Sequence, residues 1–156
     1  SALLPTLPVE VVRLRVRRAK ELGLDYRTYA GVRAATGHDV VAFLFSSNAL
    51  RVSVLRPAMP AARAEKLARV ACGRLALAVA PVTPGMVEAA NPVLDGVSCA
   101  PYALAGFSEM RERLRAALGQ LPGDRVILVG DQALERDWCA AGRLAGYLPA
   151  ERYFEG

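Results

Sequence analysis

Three short stretches of this chain, 39–45, 74–80 and 125–129, are apolar at nearly every consecutive position and rich in Val, Ile, Leu and Phe. A strand with one wet face alternates apolar and polar residues, whereas an unbroken run needs cover on both faces. The runs are also far shorter than the ~20 residues a bilayer-spanning helix requires. They read as strands buried inside a sheet.

The segments between them carry helical periods. Pro8 and Glu10 open a stretch to Leu22 in which Val9, Val12, Val16 and Ala19 share a face, and Gly23 closes it. Asp25 is placed to cap a second helix over 26–35, ended by Gly37. Further helices are expected over 61–72, from Thr83 to about Ala90, over 108–118 with Ser108 as cap, and over 133–144; residues 96–100 form a weaker strand. Buried strands alternating with helices specify parallel βαβ units, because the crossovers lay helices over both sheet surfaces. The expected architecture is α/β, a three-layer Rossmann-like or flavodoxin-like domain of about four mostly parallel strands with two extra N-terminal helices. Its parts are a helical extension over 8–36, a βαβ core over 37–146 and a docking tail over 147–156.

Composition narrows the class further. At 53% hydrophobic and 22% charged over 156 residues, the chain has the make-up of one globular domain. Residues 1–8 lack the basic region and continuous apolar run of a secretory leader, so the chain reads as cytoplasmic with no membrane partner. Cys72, Cys99 and Cys139 give neither a disulfide framework nor a paired metal clip, and read as buried thiols. The net charge of +5 is uneven: residues 1–75 hold 13 basic and 5 acidic side chains, and the remainder 7 and 10.

In an open parallel sheet the ligand crevice lies beyond the carboxyl ends of the strands. The expected exits carry Ser46, Ser47 and Asn48, then Thr83, then Tyr102, then Asp131 and Gln132. Two hydroxyls, an amide and a carboxylate converging there would suit a small polar ligand. The only histidine, His38, sits at the opposite end of the first strand from Ser46 and Ser47, which excludes a serine triad within the chain. No Gly-x-Gly occurs, so the dinucleotide fingerprint and the P-loop are both absent; no cofactor is specified and no metal ligand set is visible.

The run Val-Ala-Phe-Leu-Phe-Ser46-Ser47-Asn48 resembles the second motif of the haloacid dehalogenase-like superfamily, and Val-Ile-Leu-Val-Gly130-Asp131 with Asp137 and Ala140-Ala141-Gly142 resembles its fourth. The resemblance implies phosphate binding by Ser46 or Ser47, charge neutralisation by Lys66 and magnesium binding by Asp131. The family's nucleophile, an Asp-x-Asp pair on a preceding strand, has no counterpart in this chain. A vestigial enzyme or a phosphate-compound binding domain is the corresponding expectation.

The alternative is a nucleic-acid module. Residues 18–30 resemble a helix-turn-helix, with Arg27, Thr28 and Arg33 as base readers and Arg13, Arg17 and Lys20 on phosphates. Finally, Tyr147, Tyr153 and Phe154 place three of nine Phe and Tyr residues in the last ten positions. Aromatics so near an end imply docking, either on the domain itself, across the basic N-terminal helices, or on a second copy in a homodimer.

Overall fold

The computed structural model describes residues 7–156, so most of the stretch read against a secretory leader lies outside the described residues. Helices α1 (Val9–Leu22) and α2 (Tyr26–Thr36) precede strand β1 (Ala42–Ser46). There follow α3 (Ala61–Ala68), β2 (Gly73–Ala78), α4 (Pro84–Ala90), β3 (Gly96–Cys99), α5 (Phe107–Leu118), β4 (Val126–Gly130), α6 (Glu135–Ala141), β5 (Gly146–Pro149) and α7 (Ala150–Glu155). The five strands form one parallel sheet in the order β3-β2-β1-β4-β5. That is the Rossmann order over its first five strands rather than the flavodoxin order.

Both faces are covered, as the unbroken apolar runs require. Phe43, Phe45, Ala76, Ala78, Ile127 and Val129 point to one side, where they meet Ala19 and Leu22 of α1, Tyr29 of α2, Leu67 of α3, Val87 of α4 and Tyr153 of α7. Ala42, Leu44, Leu77, Val126 and Leu128 point to the other, against Leu114 and Leu118 of α5 and Trp138 and Ala141 of α6. β1 lies at the centre, with Leu44 level with Leu75 of β2 and Leu128 of β4. The two N-terminal helices are part of this cover rather than an appendage to it: their buried side chains share one cluster with β1 and β4.

Several boundaries differ from the sequence reading. The tail is not separate from the core, because 146–149 is a fifth strand paired with β4 and 150–155 a helix. β5 is an edge strand, where Pro149 is tolerated despite lacking an N–H. The helix expected over 61–72 ends at Ala68, and that over 133–144 spans 135–141. Ser108 lies inside α5, whose N-cap is Gly106. Cys99 is exposed, and Cys72 and Cys139 are half-buried, so the thiols are not uniformly hidden. Gly23 and Gly37 do close α1 and α2 in the left-handed conformation, with φ of 70° and 74°.

The loop preceding β1 is tied down by ions. Arg18 donates to Asp39 at 2.9 Å, to Glu21 at 3.0 Å and to the carbonyls of Val40 and Ala71. Tyr29 Oη donates to the other Asp39 oxygen at 2.7 Å. Burial raises the Asp39 pKa, but the Tyr29 hydroxyl, the Val40 N–H and the Arg18 charge outweigh it and hold the carboxyl below the usual range. Burial, aided by the Asp39 charge, pushes the Tyr29 phenol up to about 12.

Candidate functional site

The chain passes outward from β1 to β2 and β3, then returns to β4 on the other side of β1, so the sheet's switch point lies between β1 and β4. There Ser46-Ser47-Asn48 leave β1 and Gly130-Asp131-Gln132 leave β4. The polar groups at this point are bound to one another. Ser46 is fully buried and its Oγ accepts from Ala49 N at 3.0 Å. Ser47, also buried, accepts from Val79 N at 2.9 Å, stitching the exit of β1 to that of β2.

Asn48 Nδ2 donates at 2.8 Å to Oε2 of Glu135, a residue the sequence reading did not select. The other oxygen, Oε1, accepts from Asp131 N at 2.8 Å. Glu135 is 2% exposed, and both its oxygens are taken up in tying the exit of β1 to that of β4. Asp131 and Gln132 remain exposed above, with a 3.3 Å hydrogen bond between their side chains. The one available hint of Glu135 in sequence is its place on the first turn of α6, four residues beyond Asp131, a spacing that lets a side chain reach back to the strand exit.

Thr83 and Tyr102 lie elsewhere on the same edge. They line a concavity of about 310 Å³ formed by residues 78–84 after β2 and 99–103 after β3. Its walls are mainly Ala, Val and Pro, with the Cys99 thiol, the Thr83 hydroxyl and the Tyr102 ring as the polar elements. Thr83 Oγ1 accepts from Met86 N at 3.3 Å as the cap of α4. Tyr102 is 63% exposed, with the Arg113 guanidinium 5.1 Å from its ring centre. The seven expected residues therefore fall at two places: Ser46, Ser47 and Asn48 hold loops beneath the exposed Asp131 and Gln132, and Thr83 and Tyr102 line the open recess.

The expectations carried by the haloacid dehalogenase-like resemblance meet a different arrangement. Residues 9–36 are helical, so among the described residues no strand precedes β1 to carry a nucleophile. Both serine hydroxyls accept from backbone N–H groups, and Lys66 donates to the Tyr153 carbonyl at the end of α7. Magnesium at Asp131 does not fit the donor set: its neighbour Glu135 has both oxygens in hydrogen bonds, and the described residues hold no group of three or more His, Cys, Asp or Glu suited to a metal ion.

The helix-turn-helix residues are divided as well. Arg13, Arg17, Lys20 and Arg27 are exposed, and Arg33 is half-buried beside Arg15, Arg17 and Arg18 in a shallow concavity. Thr28 is engaged: its hydroxyl donates to Asp25 at 2.9 Å and accepts from Arg152 at 3.1 Å. Arg18, not among the expected readers, is engaged with Asp39 and Glu21 and with the carbonyls of Val40 and Ala71. The aromatic tail docks on its own domain: Tyr153 Oη donates to Leu22 O at 2.8 Å, and its ring lies 5.0 Å from that of Phe43.

No helix of the described residues is long and apolar enough to cross a membrane. Compared with known protein families, curated proteins and solved structures, the chain matches none.

Proposed function

We propose that the chain binds a small ligand with an apolar body and one hydrogen-bonding end, in the concavity between the exits of β2 and β3. The observation that carries this reading is the pairing of an open apolar recess of about 310 Å³ with three polar groups on its rim, at the edge where parallel sheets bind ligands. Tyr102 and Cys99 are exposed there, whereas the serines and Glu135 at the switch point are committed to holding loops. Thr83 presents its hydroxyl while capping α4, so the group is held in a fixed position.

A thermal-shift screen of nucleotides, sugar phosphates and small amphipathic acids tests the proposal, because a ligand selective for the native state raises stability by mass action. Cys99 supplies an independent readout: a ligand seated in the recess slows its alkylation. A hit whose shift survives Ala103→Trp together with Tyr102→Ala, and which leaves Cys99 alkylation unchanged, assigns the ligand elsewhere and refutes the site.

The exposed Arg13, Arg17 and Lys20 on α1 support a second reading, contact with nucleic-acid phosphates. A steep fall in duplex affinity with salt is its expected signature, through counterion release, and salt-independent or undetectable binding ends it.

A further inference from the structure

A second concavity, of about 210 Å³ and separate from the recess between β2 and β3, lies where α3 meets α7 and the turn after β1. Arg51, Arg63 and Lys66 line it against a single carboxylate, Glu155. Arg51 Nη2 and Arg63 Nη2 converge on the same atom, Glu155 Oε2, at 3.2 and 3.0 Å. Two guanidinium groups meeting on one oxygen give it two charge-assisted hydrogen bonds, the strong class that holds oxyanions.

Arg63 is held in place independently of Glu155, and Arg51 reaches it from an exposed position. Arg63 is 6% exposed, anchored by Nη1 on the Ala49 carbonyl at 2.9 Å and stacked 4.2 Å from the centre of the Phe154 ring. Arg51 has φ of 55°, a left-handed conformation uncommon for a side chain this large, and its guanidinium meets that of Arg63 across Glu155 Oε2. Burial and then the nearby Arg51 charge lower the Arg63 pKa, while Glu155 and Asp131 act to raise it. Glu155 is a poor permanent occupant. It is half exposed and sits in the last turn of α7, where the helix dipole disfavours an acid.

We propose that this concavity binds a phosphate-class dianion, with one phosphate oxygen taking the place of Glu155 Oε2 between Arg51 and Arg63, and that Glu155 is a built-in competitor occupying the site until the anion arrives. With Glu155 displaced, Arg51, Arg63 and Lys66 face only the Asp131 charge that also reaches Arg63, and that excess favours a dianion over a simple carboxylate. Lys66, whose ammonium lies 3.9 Å from the centre of the Tyr153 ring, adds charge from the floor without leaving its carbonyl partner.

The test is calorimetric or NMR titration with inorganic phosphate at low ionic strength, using the full chain. Glu155→Gln removes the competitor conservatively and is expected to tighten phosphate binding at least fivefold. Arg51→Gly, which suits the positive φ, is expected to lose that gain when added to Glu155→Gln, whereas Arg13→Ala on exposed α1 leaves it within twofold. Acetate at equal concentration is expected not to compete. The proposal is overturned if Glu155→Gln binds phosphate no more tightly than the parent. It is overturned equally if Arg51→Gly and Arg13→Ala weaken binding to the same extent, since the effect is then one of net charge.

Discussion

Two neighbouring stretches of the sheet's carboxyl edge, only one strand apart, use polar residues in opposite ways. Between β1 and β4, Ser46, Ser47, Asn48 and Glu135 direct their hydrogen bonds into the loops that leave the strands. Beyond β2 and β3, Thr83, Tyr102 and Cys99 face an open concavity. Both regions carry residue types suited to a binding site. What separates them is whether the polar side chains are buried in bonds between loops or stand exposed beside a recess, which depends on the loop packed opposite.

The contrast predicts that substitutions in the closed region change stability and those in the open region change binding. The largest effect is expected at Glu135→Ala, which leaves the part-buried Asn48 amide and Asp131 N–H without their acceptor and opens a void where the buried Glu135 side chain stood. A loss of about 3 kcal/mol is expected in urea unfolding, from the typical cost of unsatisfied buried groups plus a cavity. Glu135→Gln, which keeps an acceptor, is expected to recover much of it. A loss below about 0.5 kcal/mol for the alanine variant would break the contrast.

Ser47→Ala comes next. It deprives the Val79 N–H of its acceptor and removes one of the two ties between Ser47 and the exit of β2, leaving the Ser47 N–H on the Leu77 carbonyl, at an expected cost of about 1–2 kcal/mol by the same unfolding measurement. Because Val79 also lines the open recess, this variant sharpens the comparison: ligand affinity is expected to fall as well, through the displaced loop. Tyr102→Ala is the opposite case. With a ring 63% exposed it is expected to shift stability by less than about 0.5 kcal/mol while weakening ligand binding several-fold.

The smallest effect lies at the opposite edge of the sheet and serves as a control. The Asp39 carboxyl is held below its ordinary pKa in the folded chain, so the stability it contributes is present above the unfolded-state value of ~3.9 and is lost as pH falls through the lower folded value. Asp39→Asn is expected to flatten the acid limb of the stability curve below about pH 4 without altering ligand binding at neutral pH. An unchanged acid limb would remove Asp39 from this role.

The sheet's interior was legible in the chain because double-sided burial writes itself as a continuous apolar run, with no partner needed to recognise it. Gly-rich helix ends were legible for a similar reason, since Gly23 and Gly37 close α1 and α2 through their own backbone conformation. β5 had no such signature. It is four residues long, lies at an edge, buries only Leu148 and ends in a proline, so its identity comes from β4.

Sequence by itself determined the α/β class, the central strands, the two N-terminal helices and the edge on which polar residues gather, because each follows from local pattern and chain geometry. Tertiary structure alone decided which of those polar residues are free. Asn48 meets Glu135 across 87 positions, Ser47 meets Val79 across 32, and Arg63 meets Glu155 across 92. A hydroxyl or carboxylate carries the same letters whether it holds a loop or faces a ligand. The partner that fixes its role arrives only when distant loops are brought together over the same strand ends.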